Sequence, residues 1–241
     1  MKHFSPRFQF GLVSWLLGGV LLVAPLGGRA RVIDDFTQGA LAPIQGTNTS
    51  QFGTTVVQTG LNPALVLGGT RSVFVGSLTL ATASIEPVKG RFHFSADNNF
   101  GYFKLGWGTV TPLNVNLSAD GNDRFQFDFV DVLPNPLLNL FTLRVKSGDT
   151  WFRYEIGTDF AMALGSKTYG TLNVPFAKFA GANFTQVQAI ELEAARTPSG
   201  FRLAIDSITA VPEPSVAAML VIATGASFWR RSARRLLAQG Q

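Results

Sequence analysis

Apolar and polar residues alternate along most of the central part of this chain, and this pattern restricts the fold more than any other feature. Phe125, Phe127 and Phe129 alternate with Gln126 and Asp128. A period of two residues places every second side chain on the same face of a β-strand. The pattern predicts strands with one buried and one wet face, and it recurs at 91–95, 141–146, 151–156, 190–193 and 201–206.

Turn-forming residues separate these segments. Glycine, proline, serine, asparagine and aspartate cluster at 62–63, 97–99, 120–122, 147–149 and 198–200, where the chain can reverse between strands. No long helical period occurs between them, and a chain of 241 residues can bury a sizeable core. We therefore predict an all-β domain over 31–210, an antiparallel β-sandwich of jelly-roll type, with an up-and-down barrel as the alternative.

The positive charge of the chain comes from its two ends. Seven of the 20 Lys and Arg residues lie before residue 31 or after residue 210, but only one of the 15 acidic residues does. The span 31–210 thus holds 13 basic and 14 acidic residues, a formal charge of −1. Nucleic-acid binding depends on neutralising phosphates, so we expect no nucleic-acid partner.

Residues 1–30 have the three parts of a secretion signal. Lys2 and Arg7 precede a mostly apolar run from Phe8 to Leu26, and Gly28 and Ala30 place small residues before a cut after position 30. A basic end followed by an apolar stretch and small residues is typical of a cleaved signal peptide. The sequence therefore predicts an N-terminal signal helix, with an uncleaved anchor as the alternative.

The segment 211–241 combines a proline-rich junction, an apolar run and an arginine cluster. Its order is Val211-Pro212-Glu213-Pro214, then the apolar stretch 216–229, then Arg230 and Arg231 with two further arginines. At 1.5 Å per residue the apolar stretch spans about 21 Å, short for a membrane helix unless flanking residues extend it. The arginines are expected to hold their end in the cytoplasm.

This ordered set resembles the PEP-CTERM sorting signal. The resemblance implies recognition by an exosortase, a membrane protease-transpeptidase of Gram-negative bacteria that make extracellular polysaccharide, with processing near Pro212-Glu213-Pro214. It also implies a protein that is transiently anchored in the inner membrane through a short C-terminal transmembrane helix and then delivered to the cell surface or extracellular matrix. A plain C-terminal anchor is the alternative.

Two edge segments look like the first and last strands of galactose-binding-like jelly rolls in carbohydrate-binding modules. They are Val32 to Phe36 and Phe201 to Ile208. If these terminal strands pair, Asp34, Asp35 and Asp206 could meet and hold a structural Ca²⁺, which prefers carboxylate and carbonyl oxygens. Surface acids at strand ends are the alternative, and no other cofactor is expected.

Catalytic groups are scarce in this sequence. It has no cysteine and only His3 and His93, so a zinc site with several His or Cys ligands cannot form in the 31–210 domain. Glu191 and Glu193 share one strand face and are similar to the paired carboxylates of glucanase-like glycosidases, but the third acid of that motif is absent. A hydrolase using these two glutamates is the enzymatic alternative to a non-catalytic protein.

The aromatic residues divide by strand phase. Trp107 is in phase with Phe103 and Leu105 and is predicted to lie in the core, whereas Trp151 shares its phase with Arg153 and Glu155 on the wet face. Sugar sites need an aromatic ring for stacking and polar groups that orient hydroxyls. A hairpin turning at 147–149 would bring Arg144 and Lys146 beside them, so the candidate ligand-binding residues are Trp151, Arg153, Glu155, Arg144 and Lys146.

These features together predict an exported, non-catalytic protein of the cell surface or extracellular matrix that binds polysaccharide. A secreted hydrolase and a purely structural matrix protein are the alternatives.

Overall fold

Antiparallel β-strands make up almost all of the regular structure in the described residues. The structure, a computed structural model, describes residues 28–47, 53–77, 80–97, 101–133 and 141–213. Its strands are β1 (Arg31–Asp34), β2 (Leu41–Thr47), β3 (Thr54–Gln58), β4 (Arg71–Gly76), β5 (Leu80–Glu86), β6 (Arg91–Ala96), β7 (Gly101–Trp107), β8 (Asn122–Leu133), β9 (Phe141–Ser147), β10 (Thr150–Glu155), β11 (Gly170–Pro175), β12 (Val187–Thr197) and β13 (Phe201–Pro212). One short helix, α1 (Gly157–Leu164), connects β10 to β11.

The strands form two sheets. Sheet A has the order β11-β8-β13-β6-β5-β2, with β1 also paired to β13. Sheet B has the order β10-β9-β12-β7-β4-β3. The inner faces of both sheets share one hydrophobic core, so the predicted antiparallel β-sandwich is confirmed.

Phenylalanine dominates the core between the sheets. The inward side chains of β8, Phe125, Phe127 and Phe129, are all buried. From sheet B, Phe103 of β7 lies 4.8 Å from Phe94 of β6 between ring centroids. Such aromatic contacts add to the large apolar area that each ring removes from water. Each of these phenylalanines has the inward phase expected from the alternating pattern.

The terminal strands β1 and β13 pair with each other. Arg31 lies opposite Ala210 in the register. β13 also continues two residues beyond position 210, because Val211 and Pro212 pair with Arg124 and Asn122 of β8. Proline is tolerated at this position because it lies at the end of the ladder, where a missing amide donor costs little.

Parts of the sorting and export predictions fall outside the described residues. Pro214, Arg230, Arg231, the apolar stretch 216–229 and most of the predicted signal segment lie there. Among the described residues, no helix has the length and apolar character needed to cross a membrane.

Candidate binding face

The hairpin β9–β10 places the predicted ligand-binding residues on the outer face of sheet B. Trp151 pairs with Lys146 and Arg153 pairs with Arg144 in its register. The reversal occurs between Ser147 and Thr150, at the turn that the sequence predicts. Trp151 is partly exposed and Arg153 is exposed, so both lie on the wet face that their phase indicates.

Arg144 joins the hairpin to the centre of the sheet. Its guanidinium carbon lies 4.8 Å from the centroid of the Trp151 ring, within the range of a cation–π contact. Its Nη1 donates a hydrogen bond of 2.9 Å to Oε2 of Glu191 on β12. The same carboxylate forms an ion pair with Nζ of Lys104 on β7, at a distance of 3.8 Å. These contacts form a row of paired charges across three neighbouring strands, with the Trp151 ring on a fourth.

Glu191 is more buried than the sequence predicts. The pattern places it on a solvated strand face, but only 8% of the residue is exposed. The register explains the difference, since Arg144 and Gly106 lie on either side of Glu191 in the sheet. The long side chains of Arg144 and Lys104 cover the carboxylate and neutralise it there.

Glu193 lies two residues further along the same face and contacts Tyr102 of β7. Partial burial and then the charge of Glu193 raise the pKa of the Tyr102 phenol above its ordinary value, with a hydrogen bond to Glu193 adding to the effect. The phenol therefore keeps its proton and can donate it in hydrogen bonds. Glu191 and Glu193 do share a face, as the sequence indicates, and each carboxylate has a neighbouring donor.

The edge strand β10 carries a second pair of charges. Arg153 and Glu155 form an ion pair, and Oε2 of Glu155 accepts a hydrogen bond of 2.9 Å from Oγ1 of Thr142. Lys146 forms no hydrogen bond or ion pair with another residue in the described part of the chain. Lys146 is thus the uncommitted cation beside Trp151.

A pocket of about 250 Å³ opens on the same face, on the other side of the charged row. The rings of Phe74 and Tyr102 meet edge to face in it, with centroids 5.2 Å apart. Its other lining residues are Thr55, Ser72 and Lys104. The pocket therefore combines apolar ring surface, hydroxyl groups and an ammonium group.

Phe74 is not among the ligand-binding residues predicted from the sequence. The sequence nevertheless indicates an outward position for Phe74, because it lies between Val73 and Val75, which are both buried. The alternation therefore points Phe74 outward, a position where a large apolar side chain is informative. The link to Tyr102 depends on the pairing of β4 with β7, which strand phase does not reveal.

The three aspartates proposed for calcium lie in different surroundings. Asp34 is fully buried and accepts two hydrogen bonds of 2.7 Å from Nη1 of Arg71. Asp35 accepts hydrogen bonds from the backbone and side chain of Thr37, and Asp206 forms an ion pair with Arg91. No group of three metal-ligating residues was found in the part of the chain that the structure describes. The calcium site stays a prediction.

Arg71 supplies the cation that Asp34 would otherwise lack. Its Nη2 donates to the carbonyl oxygen of Gln38 at 2.8 Å and to Oε1 of Gln58 at 2.7 Å. Nε1 of Trp107, fully buried as the sequence predicts, donates to Oδ2 of Asp34 at 2.9 Å. A guanidinium thus lies among the carboxylate, carbonyl and amide oxygens that Ca²⁺ would also prefer.

No protein-family model and no curated protein matches the chain. Among solved structures, it is similar to the family 30 carbohydrate-binding module of the cellulosomal cellulase Cel9D-Cel44B of Clostridium thermocellum, with 10% identity and a TM-score of 0.39 over 78% of this chain and 99% of that one. It is also similar to the family 11 module of Lic26A-Cel5E from the same organism, with 13% identity and a TM-score of 0.37 over 76% and 95% of the two chains. A family 11 module in complex with a β-1,3-1,4-mixed-linked tetrasaccharide has 13% identity and a TM-score of 0.36, over the same 76% and 95%.

Proposed function

We propose that this protein binds polysaccharide without catalysis, through the outer face of sheet B. The observation that carries the proposal is the presence on this one face of two aromatic platforms, Trp151 at one side and the Phe74–Tyr102 pocket at the other. A row of paired charges separates them. Apolar ring surfaces beside a few oriented polar groups are the usual composition of a sugar site.

The spacing of the platforms suits an extended ligand. Trp151 is on β10 and Phe74 is on β4, four strands apart in the sheet. With neighbouring strands about 4.8 Å apart, the platforms are separated by ~19 Å across the sheet. A polysaccharide chain that crosses the strands would meet Trp151, then the polar row, then the pocket.

The polar row supplies the hydrogen bonds that fix such a chain. Guanidinium and ammonium groups donate to sugar hydroxyls, and carboxylates accept from them. Arg144, Lys104 and Glu191 hold one another in place before any ligand arrives. Such preorganisation lowers the entropy cost of binding.

Two arms of a binding experiment test this proposal. The full chain is applied to a glycan array, and Trp151→Ala and Phe74→Ala are compared with it by calorimetry on the glycans that bind. Each of these variants loses the stacking of a sugar on an aromatic ring, which contributes roughly 1 to 2 kcal/mol. Binding should therefore weaken about five- to thirtyfold. Because Trp151 lies on the surface, Trp151→Ala should change the free energy of unfolding by less than about 0.5 kcal/mol.

Tyr169→Ala is the matched control, because Tyr169 is 62% exposed and lies outside sheet B between α1 and β11. It should leave glycan affinity unchanged. If wild type retains no glycan on the array, the purely structural matrix protein becomes the better proposal. If polysaccharide is cleaved and Glu193→Gln abolishes cleavage, the hydrolase alternative using Glu191 and Glu193 replaces it.

The proposal includes export to the cell surface or matrix through exosortase-type sorting in a Gram-negative bacterium, with transient anchoring in the inner membrane. Its support is the sequence of the segments 1–30 and 211–241, namely the signal-like first segment and the resemblance of the second to a PEP-CTERM tail. The near-neutral charge of the span between them, −1, fits an extracellular binding module with no nucleic-acid partner.

A further inference from the structure

A second polar groove, of about 290 Å³, lies on the outer face of sheet A. It is on the opposite side of the sandwich from Trp151 and Phe74, because the strands that form it all belong to the other sheet. Its outward polar lining residues come from four strands: Thr82, Ser84 and Glu86 of β5, His93 and Ser95 of β6, Asp131 of β8 and Arg202 of β13.

The register places one small side chain among the longer outward residues of the groove. Ala204 of β13 lies between His93 on one side and Asp131 on the other. Its methyl group is the smallest side chain in that row and is almost fully covered by its neighbours. A small covered residue thus separates His93 from Asp131, and both of these are polar lining residues of the groove.

Asp131 and Arg202 are less engaged with the described residues than the other polar groups of the groove are. Thr82 and Ser95 share a hydrogen bond of 2.7 Å, and Glu86 forms an ion pair with Lys89 at 2.6 Å. By contrast, no hydrogen bond or ion pair joins Asp131 or Arg202 to another described residue, and the described charge interaction of Asp131 is with the His93 ring. A carboxylate acceptor and a guanidinium donor are therefore both available to a ligand.

The charge balance of the groove favours a neutral ligand. Asp131 and Arg202 cancel each other, and Glu86 is cancelled by Lys89. Burial lowers the pKa of His93 below its ordinary value, so its imidazole is neutral at pH 7, with one nitrogen that donates and one that accepts. No outward aromatic side chain lines the described groove, so recognition here depends on hydrogen bonds rather than stacking.

We propose that this groove is a second binding site, for a sugar residue of a neutral polysaccharide, with Asp131 accepting from one hydroxyl and Arg202 donating to its neighbour. Together with the binding face on sheet B, this second site makes the domain bivalent. The bivalence rests on the proposed function of sheet B. The two sites face away from each other, so one domain holds two separate chains together. When both sites bind polysaccharide at the same time, the overall affinity exceeds the affinity of either single site.

The experiment uses the full chain and three neutral probes, cellotetraose, mannotetraose and galactotetraose. Asp131→Asn and Arg202→Gln should each weaken binding at the groove about tenfold or more, since each removes a charge-assisted hydrogen bond. Asp149→Asn, an exposed acid in the β9–β10 turn, is the matched control and should have no effect. Melting curves establish that every variant is folded.

The imidazole NMR signal of His93 reports on the groove directly. The chain has two histidines, His3 and His93, so His3→Gln leaves a single imidazole to follow. A probe bound in the groove should shift this signal equally in wild type and Trp151→Ala. The Arg202→Gln variant should lose the shift.

The outcomes separate the two proposals. If no probe shifts the His93 signal, the groove proposal is overturned. If Trp151→Ala abolishes all binding, the groove proposal is also overturned, while the face of sheet B stands. If only the groove variants lose binding, the proposed function of sheet B fails and bivalence fails with it. If wild type cross-links polysaccharide in solution, measured as increased viscosity, and a variant on either face stops this, the domain is bivalent.

Discussion

At the scale of single residues, Arg71 is the best-connected side chain in the described structure. It is fully buried together with Asp34, and its guanidinium also contacts Gln38 and Gln58. These partners come from β1, the following loop and β3, so one side chain ties β1 of sheet A and the loop after it to sheet B. Arg71 and Asp34 are separated by 37 positions in the sequence.

We expect Arg71→Met to destabilise the protein by about 3 to 5 kcal/mol, because it leaves the buried Asp34 carboxylate without its counter-charge. Urea denaturation of both proteins measures the difference. Lys89→Met is the control, since its ion pair with Glu86 is exposed to solvent and such pairs contribute little to stability. Equal losses in the two variants would contradict a special role for Arg71.

The same variant examines the calcium prediction. Arg71 already neutralises Asp34, so removal of metal ions by a chelator should not change the melting temperature of wild type. In Arg71→Met, the vacated oxygens of Asp34, Gln38 and Gln58 are available to a cation. A wild-type melting temperature that falls on chelation would instead support the calcium site predicted at Asp34, Asp35 and Asp206.

At the scale of elements, the hairpin β5–β6 carries the only histidine in the described residues. His93 lies opposite Ser84, and its Nε2 is 3.7 Å from Oε1 of Glu86. Desolvation lowers the pKa of His93, and the nearby charges of Lys89 and Arg91 act in the same direction. Glu86 and Asp131 oppose them.

This shift predicts a loss of stability in mild acid. A histidine whose pKa is lower in the folded than in the unfolded state binds its proton more readily after unfolding. Its contribution is present above the unfolded value, near 6.5, and is lost as the pH falls from there toward the folded value. Melting temperatures between pH 7.5 and pH 5 should therefore fall more steeply for wild type than for His93→Gln. Parallel curves would show that His93 titrates normally.

At the scale of the whole molecule, the fold reaches into the proline-rich junction. Val211 and Pro212 are held in β13, and Glu213 forms an ion pair of 3.5 Å with Arg124 of β8. A protease needs an extended, accessible backbone, so a paired strand resists cleavage. Trimming of the tail should therefore stop near Pro214 and leave β13 intact.

Intact-mass measurement of the protein from its native host examines this prediction together with export. We expect a product that lacks residues 1–30 and the tail beyond about Pro214. A product that ends before Val211 would show that β13 does not protect the junction. A full-length product would contradict both predicted processing events.

Strand phase was readable from the sequence because it is a local property. Consecutive side chains on a strand point to opposite faces wherever the strand lies, so the buried positions of β8 and the outward position of Trp151 followed directly. The β9–β10 hairpin followed as well, since its turn residues lie between two alternating segments. The short helix α1 was not predicted, because its eight residues are too few to show a helical period.

Only the tertiary structure decided which distant strands are neighbours. The sequence determined that Phe74, Tyr102 and Glu191 point outward from their strands, but the pairing of β4 with β7 and of β7 with β12 placed them on one face. Likewise, the charges of Asp34 and Arg71 are visible in the sequence, whereas their burial as a pair is not. The reason is physical: alternation depends on adjacent residues, while strand order depends on how all the apolar faces pack into one core.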